Sequence, residues 1–216
     1  MPIASQDWNQ LLNQAKVRLN GSSDAALKGE LYDVLSEFFN DSRCWLEAIQ
    51  FNVVTDTTAY PVTPDEGQII GLVGVLDSNN VPQGALMPNI GTVILSSIPN
   101  IAQAPLYYFA IVSKTVKLPT GKDQMVIGPD WVFPLWHVGI LDGLLGKMHS
   151  QPAKPYSNKD LSAYHLKRFR VAISQARVAA LRQHTLSAQA WRFPQGFRTG
   201  SQKFGVPGFA GTDRSF

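Results

Sequence analysis

Gly139-Ile140-Leu141-Asp142-Gly143-Leu144-Leu145-Gly146-Lys147-Met148 sets glycines four and three residues apart inside an apolar run. Trp136, Ile140, Leu141, Leu144, Leu145 and Met148 recur around it at helical spacing, which predicts one helix from about Trp131 to Met148. Residues three and four apart share one side of a helix, so the glycines should let another element approach closely along that side. Pro134, His137, Asp142 and Lys147 interrupt the run. It therefore falls short of the ~18 uninterrupted apolar residues of a membrane span, and the stretch reads as a helix packed tightly in water.

Downstream, a Pro-containing loop, Gln151 to Tyr156, leads to Ser157-Asn158, a capping pair with Asp160 close behind. The helix that follows, about Lys159 to Leu186, is the longest expected in the chain. Its apolar seam is Leu166, Phe169, Ile173, Ala176 and Ala180. Lys167, Arg168 and Arg182 should point to the opposite side, and Arg170, Arg177 and His184 should flank the seam. Upstream, Trp8, Leu11, Leu12, Ala15 and Leu19 form a helical stripe, with Ser5 as cap, Asp7 in the first turn and Asn20-Gly21 as terminator. A second helix runs from about Ser23 through Leu27, Leu31, Val34, Leu35 and Phe38 to Asn40-Asp41. Two short amphipathic helices need a further helix or a sheet to bury their faces.

Between these helices, from Cys44 to about Phe109, the texture is that of strands. Trp45, Ile49, Phe51 and Val53 alternate with polar neighbours, and Gln68 to Leu76, Val93 to Ile98, Leu106 to Val112 and Thr115 to Leu118 are further candidates. Tyr60 to Asp65 reads as an extended turn because each Pro restricts itself and the residue before it. Asp77 to Asn80, Pro99-Asn100 and Pro119-Thr120-Gly121 are the other turns. Short strands with turn signals predict a small antiparallel sandwich or barrel.

The 216 residues are 16% charged and carry a formal +3. The usual charged share is about 25%, so surface facing other protein is expected. Location sharpens the charge. Residues 1 to 158 hold 9 Lys and Arg against 14 Asp and Glu, a net −5, while residues 159 to 216 hold 10 against 2, a net +8. Such polarity marks either an arm or face that meets nucleic acid or acidic protein, or a solvated basic helix. Residues 191 to 216 hold five Gly and two Pro, which exclude a helix, with Trp191, Phe193, Phe197, Phe204, Phe209 and Phe216 spread among Arg192, Arg198, Lys203 and Arg214. Disordered tails are poor in aromatics. An extended arm that orders on a partner accounts for the mixture; a strap packed on its own domain is the other reading.

Catalytic signatures are missing from the sequence. His137, His149, His165 and His184 have no metal-binding spacing and read as surface or packing residues. Thr120-Gly121-Lys122 ends like a phosphate loop, but Val116 stands at the first glycine position and Asp123 at the Ser/Thr position. Cys44, the one cysteine, excludes a disulfide framework and reads as a small buried hydrophobe. No enzyme activity, cofactor or metal is expected. The N-terminus lacks a basic and apolar leader, so no signal peptide is expected.

Pro129-x-Trp131-x-x-Pro134, the glycine run to Met148, Lys154-Pro155-Tyr156-Ser157-Asn158, Tyr164-His165-x-x-Arg168-Phe169 and Ala190-Trp191-Arg192-Phe193-Pro194-Gln195 together resemble the adaptor, or head-to-tail connector, proteins of tailed bacteriophages. The paired N-terminal helices, the Trp45 strand and the Tyr60-Pro61 turn fit the same scheme. The resemblance implies an α+β subunit in which a helical bundle (1 to 42 and 129 to 190) carries an inserted antiparallel β section (43 to 128) and an extended C-terminal arm (191 to 216). It implies a ring of copies, typically a dodecamer, in the virion neck below the portal, assembled in the host cytoplasm. The arm would embrace the portal protein, the β section would face the tail or nozzle protein, and DNA would pass transiently through the lumen; no membrane is involved. The expected portal-binding residues are Trp191, Arg192, Phe193, Phe197, Arg198, Lys203, Phe204 and Phe209. A nucleic-acid-binding module, or a different neck ring such as a terminator or head-completion protein, is the alternative.

Overall fold

A computed structural model describes residues 5 to 54, 56 to 97, 107 to 117, 128 to 129 and 131 to 184. The chain divides after Leu181 into two units, and the second contributes only the last turn of a helix to the described residues. Four helices and seven strands occur among these residues: α1 Ser5–Arg18, α2 Asp24–Ser42, β1 Leu46–Asn52, β2 Ala59–Pro61, β3 Gln68–Asp77, β4 Pro82–Gln83, β5 Ala85–Asn89, β6 Thr92–Leu95, β7 Tyr107–Thr115, α3 Val132–Ser150 and α4 Lys159–His184. The fold is α+β, as the sequence led us to expect. Among the described residues, no helix is long and apolar enough to cross a membrane.

α2 and α4 start where their caps dictate. The Ser23 hydroxyl accepts the Ala26 N–H at 3.2 Å, and the Asn158 side chain accepts the N–H groups of Asp160 and Leu161 at 3.0 and 3.1 Å, so orphan donors of α2 and α4 are satisfied. α2 runs past Asn40-Asp41 and stops at Arg43, whose left-handed backbone (φ 51°) turns its N–H back to the Phe39 carbonyl. Pro134 is harmless in α3 because it sits in the first turn, where its missing N–H has no intrahelical partner to lose.

Packing explains the glycines of α3. A Cβ on Gly143 would stand 2.8 Å from Phe169 of α4 and 2.8 Å from Val34 of α2; one on Gly146 would stand 2.8 Å from Leu166, and one on Gly139 would overlap Ala172. α2, α3 and α4 therefore meet at one point, around which Trp8, Phe38, Phe39, Ile140, Leu144 and Phe169 are fully buried. Phe38 packs on Phe39 edge to face at 5.5 Å and on Phe169 at 6.4 Å. Lys147 to Glu37 at 2.8 Å and Gln151 to Glu30 at 2.9 Å tie α3 to α2 at the rim.

The β section has its own apolar cluster. β1-β7-β3-β4 form one antiparallel sheet and β2-β6-β5 another, and Phe51, Tyr60, Val75, Val93, Leu95, Tyr108 and Ala110 from both sheets share that cluster. Phe51 pairs in register with Tyr108 and lies 4.9 Å from the Tyr60 ring, joining the sheets. Trp45 belongs to the helical core instead; Lys114 lies 4.5 Å over its ring and binds Glu47 at 2.6 Å.

Several local expectations are corrected. Tyr60-Pro61 is part of an edge strand, with Tyr60 opposite Val93; Pro61 needs no donor at an edge. The two strands expected around Leu106 and Thr115 are the single strand β7. Ser113 and Lys114, which lie between the two expected strands, are buried, with Ser113 donating to the Gly71 carbonyl and Lys114 paired with Glu47. β4 and β5 lack Val and Ile runs and were not anticipated. Asp77 nucleates the turn into β4 by accepting the N–H groups of Asn79 and Val81 at 2.8 and 2.9 Å.

Candidate functional site

A groove of about 550 Å³ runs along the outside of α3 and α4. Its floor is apolar, with Leu135, Trp136 and Val138 from α3 and Val171 and Ala172 from α4; Lys167 and Arg168 are the charged groups at its rim. The groove belongs to a longer feature. Leu161, Tyr164, Arg168, Val171, Gln175 and Val178 recur in steps of three and four along α4, which places them on one side of the helix. The four apolar members, Leu161, Tyr164, Val171 and Val178, are 43 to 54% exposed. α4 thus carries one buried apolar stripe, including Phe169, Ile173, Ala176 and Ala180, and a second open to solvent.

At the groove's inner wall α3 contributes a buried carboxylate. Asp142 accepts from His165 Nδ1 at 2.8 Å through one oxygen and from Arg168 Nε at 2.9 Å through the other. Arg168 also donates to the Tyr164 hydroxyl at 3.0 Å and stacks near that ring. The Tyr164 hydroxyl first, and Asp142 second, hold the guanidinium more firmly protonated than usual. The His165 ring stacks on His149 at 5.9 Å, and His149 donates from Nδ1 to the Tyr156 carbonyl at 2.6 Å. The network satisfies both oxygens of Asp142 and holds Arg168 and Tyr164 in fixed positions at the groove surface. No group of three or more His, Cys, Asp or Glu among the described residues is arranged to hold a metal ion.

The sequence placed Arg168 on the far side of α4 from the seam. Its guanidinium instead swings sideways over α3, because Asp142 would otherwise be a buried carboxylate with half its acceptors unmet. His149 and His165 do pack, as read, but into a shared network that spacing did not reveal. The exposed stripe is hidden in the sequence because Arg168 and Gln175 interrupt its apolar members, although these keep three-and-four spacing. Cys44 is buried beside Ser42, whose hydroxyl donates to Sγ at 3.1 Å. Trp191, Arg192, Phe193, Phe197, Arg198, Lys203, Phe204 and Phe209 lie outside the described residues. No protein-family model matches the chain, and no curated protein matches it.

Proposed function

We propose that the chain is a structural subunit of a bacteriophage neck, an adaptor that assembles as a ring below the portal, offers its β section to the tail or nozzle protein and continues the DNA channel. The observation that carries this reading is the second apolar stripe of α4 above an apolar groove. Contiguous exposed apolar area rimmed by polar groups marks a protein contact. The resemblance supports it as well, since the glycine run and the Tyr164-His165-x-x-Arg168-Phe169 motif are the residues that join α3 to α4. The low charged share and the basic, aromatic residues 191 to 216 suit a subunit whose surface and C-terminus are given over to neighbours.

Affinity capture of portal protein tests the role. The full chain retains the portal, and a chain ending at residue 190 folds but loses it; retention by the truncated chain contradicts portal docking through the arm. A nucleic-acid-binding module would instead shift DNA on its own, with affinity falling steeply between two salt concentrations as phosphate counterions are released.

A further inference from the structure

The outer face of α2 is made of small residues and carries an exposed carboxylate, whereas the α3–α4 groove is apolar with a basic rim. Ala25, Gly29, Asp33, Ser36 and Asn40 lie on the side of α2 turned away from Leu27, Leu31, Val34 and Phe38. Gly29 is well inside the helix, where glycine is the least favourable residue short of proline. The glycines of α3 are explained by neighbours closer than 3 Å, but a Cβ on Gly29 would meet nothing within 4 Å. Nothing among the described residues of the subunit calls for glycine there. A helix packed there from outside would, because small residues let a second helix come close.

Charge points to the same neighbour. Within the subunit Asp24 is paired with Lys16, Glu37 with Lys147 and Arg168 with Asp142, while Lys159–His184 holds six Lys and Arg against Asp160. Asp33 is exposed on the small-residue face, and Lys167 and Arg168 rim the groove. Because Val34 of α2, Gly143 of α3 and Phe169 of α4 meet at the centre of the bundle, the outer face of α2 and the α3–α4 groove open to different sides. One copy can therefore offer the first surface while receiving on the second.

We infer that the groove between α3 and α4 of one copy receives the outer face of α2 of the next copy, head to tail. The inference rests on the reading of the chain as a self-assembling ring subunit and names the two faces that meet. Gly29 admits the exposed side chains of the α4 stripe, and Asp33 faces Lys167 and Arg168. A contact between two different faces propagates from copy to copy and closes as a ring where the rotation between copies allows it, whereas a self-complementary face stops at a dimer.

Paired cysteines test this. In a Cys44→Ala background, Gly29→Cys with Val171→Cys on every chain gives, on oxidation, a ladder of covalent oligomers beyond the dimer, and either cysteine alone gives none. Dimers from Val171→Cys alone would show that the groove faces itself and overturn the inference. A second variant, Gly29→Trp, keeps the unfolding midpoint of the native chain but loses the oligomer by native mass; an unchanged oligomer overturns the inference too. Oligomers by native mass without the ladder contradict these faces alone and leave the ring reading standing. A chain monomeric both alone and with portal protein contradicts both.

Discussion

The two apolar stripes of α4 differ in what covers them. Phe169, Ile173, Ala176 and Ala180 are buried in the helical core, where Gly143 brings α3 against Phe169 and Gly146 brings it against Leu166. Leu161, Tyr164, Val171 and Val178 are open, and the charged group set among them, Arg168, is anchored to Asp142 rather than left to solvent. One stripe is built for folding. The other has the composition of a contact surface, apolar with a fixed arginine and tyrosine, the residue types that carry binding energy when desolvated. The difference implies that damage to the first should cost stability, and damage to the second should cost association while leaving the fold intact.

The largest effect is expected at the covered stripe. Phe169→Ala removes a fully buried ring shared by three helices and should destabilise by about 3 to 5 kcal/mol, read as a lower denaturant midpoint with unchanged slope. Between the stripes lies Asp142. Asp142→Ala strips His165 and Arg168 of their shared acceptor and should cost about 1 to 3 kcal/mol in the same measurement. It should also weaken self-association, since Arg168 is no longer held. If stability alone falls, the network serves the fold and not the groove.

A smaller, pH-dependent effect belongs to the junction between the bundle and the β section. Burial raises the Cys44 thiol above its ordinary value of 9.0, with the Ser42 hydrogen bond opposing it. The folded state favours the neutral thiol, so its contribution is complete below the ordinary value and is lost as pH rises toward the raised one. Stability should therefore fall above about pH 9 by up to about 1.4 kcal/mol per pH unit from this group, and Cys44→Ala should flatten that part of the profile. The smallest change in stability is expected at the open stripe. Val171→Asp should move the unfolding free energy by no more than about 0.5 kcal/mol yet abolish the oligomer by light scattering. A large loss of stability there would erase the distinction between the stripes.

Much of the covered stripe was legible because its signals are local and periodic. Glycines three and four apart in an apolar run, Ser23 and Asn158 at caps, and Phe169 and Ile173 at helical spacing each carry their meaning within a few residues. The β section was legible where Val and Ile runs mark strands. It was misread where a buried polar residue is satisfied from far away, as Lys114 is by Glu47, and β4 and β5 follow from pairing rather than composition. The open stripe was hidden for a related reason. Arg168 looks like a solvated charge until Asp142, 26 positions earlier in the sequence, is placed beside it, and an apolar stripe broken by Arg and Gln resembles a polar face. Gly29 gave no signal at all, since only the empty space around it distinguishes it from the glycines of α3.

Native mass spectrometry of the chain, alone and mixed with portal protein, reads copy number and partner from one spectrum. A ring subunit gives a single closed oligomer of uniform stoichiometry that binds the portal as a unit. A monomer in both spectra, or a chain that ignores the portal, would contradict that role.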